Sequence, residues 1–172
     1  MRHLYAIILS CVALLLLAGC QQHDPRTPNY VYRKGYTAQL AYGKAVAPSA
    51  APARIKRAIA AANKIVGRPY RLGGGHRRHH DSGYDCSGSV AYVLREAGML
   101  KKGAAPTSGD FLRWGRPGFG KWLTVYAKRG HVFLIIAGLR FDTTGSGRGV
   151  GPRWYTTSRS CRGFKVRYIP GF

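Results

Sequence analysis

Cysteine, histidine and aspartate stand at three positions of this chain from which they could together direct a thiolate at a carbonyl carbon. Cys86 lies between Asp85 and Ser87 at the head of an apolar stretch, YDCSGSVAYVLREAGML. A thiol is a useful nucleophile only as the thiolate, and the unpaired N–H groups and dipole of a helix N-terminus favour that form. The small residues Ser87 and Gly88 leave room for a carbonyl to approach, and the backbone N–H of Cys86 can help hold an oxyanion. Such a thiol needs a base. The histidines beyond the leader are His23, His76, His79, His80 and His131. His131 is the strongest candidate because it opens the apolar run HVFLIIAG directly after Gly130, where a polar ring is an odd choice for packing; a neutral edge histidine is the competing reading. A third group that fixes the tautomer makes an imidazole a better base. Asp142 can do this from the end of the next strand of a hairpin turning about Ala137 to Arg140. The alternative is an aspartate that only caps the turn before Thr143.

These residues need elements to hold them. Ile55, Ile59, Ala62 and Val66 share one helical face from Ala53 onward, and Gly67 and Pro69 stop that helix. After Gly73 to Gly75 and the loop HRRHHDSGYD, a second helix is expected from about Cys86 to Ala97, burying Val90, Val93, Leu94 and Ala97 and ended by Gly98. The period then shortens. WLTVYA (122–127), HVFLIIAG (131–138), LRFDT (139–143) and GFKVRYI (163–169) read as strands of an antiparallel sheet. Helices followed by strands indicate an α+β fold rather than a doubly wound one, and 172 residues suit one domain.

The ends of the chain suggest where it works. Residues 1–19 form a short apolar leader behind Arg2 and His3, and Leu17, Ala18, Gly19 and Cys20 resemble the lipobox of bacterial lipoproteins. Cys20 is therefore expected to carry a lipid anchor. That leaves Cys86 and Cys161 as thiols; a disulfide between them would silence Cys86, and Cys161 reads as a buried, idle group. Residues 20–52, rich in Pro and Ala, are expected to be a tether or arm, with 53–172 as the domain. Tyr30, Tyr32, Tyr36 and Tyr42 do not suit a plain linker, and either pack the arm on the domain or stack on sugars. With 28 Lys and Arg against 6 Asp and Glu, the formal charge is +22. For an exported chain this excess fits anionic lipid or the carboxylate-bearing cell wall better than nucleic acid, unless it is only a solvated surface.

GRPYRLGG, YDCSGSVAYVLREAG and RGHVFLIIAGLRFDT together resemble the successive motifs of the NlpC-type cell-wall cysteine peptidases, over about residues 53 to 170. The resemblance implies a papain-like fold in which the cysteine helix packs on a strand-borne histidine. It also implies hydrolysis of amide bonds in peptidoglycan stem peptides, most often the D-glutamyl to diamino-acid bond. By the same matching Cys86 is the nucleophile, His131 the base and Asp142 the third polar position, where the family often has histidine one residue further on. Tyr70, Asp85 and Ser87 fall on the substrate side, Asp85 as local support rather than as a catalytic carboxylate. The loop with His76, His79, His80 and Asp81 has three open readings: a metal site, a pH-sensitive basic rim, or a solvated loop. No metal or other cofactor is expected. The expected partners are stem peptides and, through Cys20, a membrane, with the chain a monomer in the bacterial envelope, on the outer membrane facing the periplasm where there are two membranes. The rival readings are a non-catalytic wall-binding lipoprotein and an amidase or acyl-transfer enzyme on the same fold.

Overall fold

The computed structural model describes residues 27–77, 80–144 and 150–171. The leader, Cys20 and His79 lie outside them. Two helices precede a six-stranded antiparallel sheet, as the α+β expectation requires. Helix α1 (Ala53–Ile65) buries Ile55, Ala58, Ile59, Ala61, Ala62 and Ile65, and ends at Gly67, whose φ of 81° few other residues adopt. Helix α2 (Cys86–Glu96) is buried all round from Cys86 to Leu94. It packs against α1 on one side and the sheet on the other, so it lies in the middle of the domain.

Strands β1 (Gln39–Ala41) and β2 (Lys44–Val46) form a separate hairpin, and β3 (Arg116–Pro117), β4 (Leu123–Lys128), β5 (His131–Ile136), β6 (Leu139–Asp142), β7 (Arg153–Tyr155) and β8 (Lys165–Tyr168) build the main sheet. Its strand order is β3-β8-β4-β5-β6-β7. The central strands coincide with the runs read as strands in the sequence. The short edge strands β3 and β7 were not foreseen, because two or three residues cannot display a period.

Between β5 and β6, Ala137 and Gly138 both have positive φ, 46° and 83°, the geometry of a two-residue turn that matches strand twist. This turn fixes the register Leu134↔Phe141 and Ile136↔Leu139. Val132, Leu134, Ile136, Leu139 and Phe141 consequently join the main core with the helices. The opposite face carries His131, Phe133 and, beside Phe133, Asp142. Tyr126, Phe133, Cys161 and Phe164 form a second apolar cluster on that face. Cys161 is fully buried there and Cys86 is buried at its own site, and neither is in a disulfide.

The segment read as a tether is folded from residue 27 to 52. Asn63 on α1 accepts a hydrogen bond from Ala45 N (2.9 Å), donates one to Ala45 O (2.8 Å) and also accepts one from Trp154 Nε1 (2.8 Å). One amide thus ties the β1–β2 hairpin to α1 and β7. Tyr36 stacks on Trp122 with ring centroids 5.9 Å apart, and Tyr30 donates to Ala38 O. Tyr30 packs against the main core and Tyr36, itself half exposed, stacks on the domain through Trp122, whereas Tyr32 and Tyr42 are exposed with no such ring contact among the described residues.

Candidate active site

Cys86 is the first residue of α2, and the residue before it builds the helix start. Asp85 caps the helix by accepting from Gly88 N at 2.7 Å, and its backbone carbonyl accepts from Ser89 N. The cap does not reach the N–H groups of Cys86 and Ser87, which remain directed out of the helix start. The other oxygen of Asp85 accepts from Gly73 N at 2.9 Å. Asp85 is therefore fully engaged in fastening the glycine loop to the helix.

The loop and the helix start also meet backbone to backbone, Asp85 N donating to Gly74 O at 3.2 Å. A Cβ at Gly88 would fall on the carbonyl oxygen of Gly74. The space beside the thiol that the sequence suggested for a substrate carbonyl is, at Gly88, filled by the loop itself. Gly88→Ala is expected to lower stability by about 2 kcal/mol or more, since rigid backbone must move to admit the methyl group. Urea denaturation measures this; an unchanged midpoint would show that the loop yields freely.

Ser87 donates to Asp85 Oδ1 at 3.0 Å, and His76 Nε2 lies 3.2 Å from the Ser87 hydroxyl and 3.1 Å from Asp85 Oδ1. His76, from the loop read as metal site, rim or solvated segment, is thus part of the helix-capping cluster. Asp81 in the same loop accepts from Gly75 N and Ser82 N, which hold its carboxyl below the usual range. Among the described residues, no group of three or more His, Cys, Asp or Glu side chains is placed to hold a metal ion.

His131 opens β5, and Asp142 closes β6. The hairpin register that sets Asp142 beside Phe133 brings its Oδ1 to 2.9 Å from His131 Nε2. A carboxylate can only accept, so Nε2 carries the proton and donates it to Asp142. Nδ1 is then the nitrogen free to take a proton, and the ring also hydrogen-bonds Cys86. The sequence separates these three residues widely, and the fold brings them into one line: thiol, imidazole, carboxylate.

The electrostatics follow from that line. Burial pulls the His131 imidazolium down, but the hydrogen bonds to Asp142 and Cys86, with their negative charges, more than offset it and leave the group above its ordinary 6.5. Burial pushes the Asp142 carboxyl up; the hydrogen bond and charge of His131 and those of Arg159 outweigh it and bring it to about 2. Asp142 is therefore ionised at neutral pH.

Tyr70 stands at the rim, joined to Tyr84 by a single parallel bridge and 41% exposed. Partial burial raises its phenol, and the charges of Cys86 and Asp85 add to the rise, which puts the hydroxyl in the field of the thiol and ready to donate. Arg159 is the residue the sequence reading missed. It donates to Asp142 Oδ2 at 2.6 Å from the loop before β8. One arginine in a chain with so many cations carries no pattern that could single it out.

Neither family models nor curated proteins match the chain. Among solved structures it is similar to a hypothetical invasion protein of Mycobacterium tuberculosis, and to two forms of the resuscitation promoting factor interacting protein RipA, one mutated at a cysteine and one at a histidine. Each comparison has 24% identity and a TM-score of 0.47 over 67% of this chain. The chain spans 62% of the length of each of these structures.

Proposed function

We propose that the protein is a cysteine peptidase of the bacterial cell wall that hydrolyses amide bonds in peptidoglycan stem peptides. The observation that supports this most is the placement of His131, whose Nε2 is committed to Asp142 while the same ring hydrogen-bonds Cys86. In this reading the Cys86 thiolate attacks the amide carbonyl carbon, and the N–H groups of Cys86 and Ser87 face the oxyanion that forms. The protonated Nδ1 of His131 gives its proton to the leaving amine as the C–N bond breaks, leaving a thioester on Cys86. Water then attacks the thioester, with His131 taking its proton, and the acid leaves with Cys86 restored. Asp142 holds the ring in the required tautomer throughout. Tyr70 borders the cleft on the substrate side. Asp85 and Ser87 shape the helix start that carries the nucleophile.

The bond cut is taken as D-glutamyl to diamino acid. The chain is proposed to act as a monomer, exported and held in the envelope by a lipid on Cys20, on the outer membrane facing the periplasm where two membranes exist. Its strongly basic balance would then face anionic lipid and wall. The test is digestion of purified peptidoglycan with fragments resolved by mass. New fragments ending in a stem-peptide carboxylate are expected, and their masses identify the bond. An undigested wall that still retains the protein would instead support a binding module.

A further inference from the structure

Asp142 is not the end of the line that begins at Cys86. One nitrogen of Arg159, Nη1, lies 2.6 Å from Asp142 Oδ2, 2.6 Å from Thr144 Oγ1 and 3.2 Å from His131 Nε2. Its guanidinium also sits over the rings of Phe133 and Phe164, at 5.1 Å and 5.4 Å. Since Nε2 donates to Asp142, the approach of Nη1 to Nε2 is a cation held against the imidazole rather than a hydrogen bond.

We propose that Arg159 is a positioning residue of this site: it fixes the Asp142 carboxylate with Oδ1 aimed at His131, and its charge limits how basic the imidazole becomes. The inference rests on the hydrolase reading for its effect on turnover, but its effect on His131 is independent of any substrate.

The other groups facing His131 do not supply this. Cys86 reaches it from α2 and Asp142 from β6, both adding negative charge. Lys128, paired with His131 across β4, directs its ammonium at the Phe164 ring, 4.7 Å away. Arg140 is 3.8 Å from Asp142 Oδ2, beyond hydrogen-bonding distance, with its guanidinium lying over the Tyr155 ring at 4.4 Å. Arg153 pairs with Asp142 across β7, and Tyr155 neighbours the carboxylate. Arg159 alone among these cations hydrogen-bonds the carboxylate and also touches the imidazole. Removing it takes a positive charge from beside the ring and leaves the charge of Asp142 less neutralised. Both changes favour the imidazolium, so the His131 titration must move up.

The test is a histidine-selective NMR titration of His131 in the Cys86→Ala protein, with and without Arg159→Met, beside turnover measured with Cys86 intact. Arg159→Met is expected to raise the His131 midpoint by about 1 pH unit and to lower turnover by about 10- to 100-fold through loss of alignment. Arg159→Lys, which keeps the charge, is expected to return the midpoint to that of the parent. Arg159→Gln keeps a neutral donor and serves if the methionine variant folds poorly; its midpoint should follow the methionine variant. A midpoint that stays put in both neutral variants, with turnover falling only as far as thermal stability does, would overturn the proposal. A shifted midpoint in a protein whose parent leaves peptidoglycan intact would uphold the role of Arg159 and overturn the hydrolase reading.

Discussion

On the proposed reaction, replacing Cys86 with alanine is expected to cut peptidoglycan hydrolysis by about a million-fold, because every bond-making step passes through Sγ. Fold stability should change by about 1 kcal/mol or less. The helix start does not depend on the thiol: Asp85 caps α2 through Gly88 N, and Gly88 packs on Gly74, with no part played by the sulfur. Thermal melting beside fragment analysis separates the two effects. Hydrolysis persisting in a well-folded alanine variant would remove the thiol mechanism altogether.

The second large effect is at Asp142. Asp142→Asn should lower turnover by about 10⁴-fold near neutral pH, more than the loss of one hydrogen bond would cause, and the surrounding donors give the reason. Asp142 accepts from His131 and Thr144 N on Oδ1, and from Arg159 on Oδ2. An amide has one accepting oxygen to offer. The charged guanidinium is the stronger claimant for it, which turns the NH₂ toward His131 and forces the proton from Nε2 to Nδ1. Nδ1 then cannot take a proton from the thiol. Combining Asp142→Asn with Arg159→Met frees the amide to rotate and should recover part of the lost turnover; a double variant as slow as the product of the two single losses would refute this account.

The same carboxylate contributes to the stability of the fold in acid. Its value in the folded protein, about 2, lies below its ordinary 3.8, so the stability it contributes is fully present above 3.8 and is lost as pH falls through 2. His131 runs the other way. Held above 6.5, it stabilises the fold fully below that pH, and the contribution is lost as pH rises through its value in the folded protein.

Much of this site was legible from residue order. Asp85 reads as local support for Cys86, which the structure makes a helix cap, and Gly98, with its φ of 68°, ends that helix where the periodicity does. The run from His131 to Asp142 reads as two strands, and its centre, Ala137-Gly138, forms the tight turn. Once that turn is given, His131 and Asp142 have to share a face, since side chains alternate with a period of two. Local chemistry and short-range period are carried by neighbouring residues, so the chain alone specified the helix that carries Cys86, the strand that carries His131, and the α+β order of elements.

Contacts between segments far apart in the chain leave no such trace. The three hydrogen bonds of Asn63 join α1 to an arm eighteen residues earlier and to a tryptophan ninety-one residues later. They turn a stretch that reads as linker into part of the domain. Gly88 reads as room for a substrate and is instead the point where a loop carbonyl meets the helix. His76 and Arg159 are individually unremarkable in a chain of net charge +22; one joins the cap of the nucleophile helix, the other sits on the orienting carboxylate. Sequence determined which groups could react and which elements present them, because propensity and period are local. Tertiary structure alone decided which cation among many faces Asp142 and which backbone fills the space beside Cys86, because both depend on where loops of no regular period come to rest.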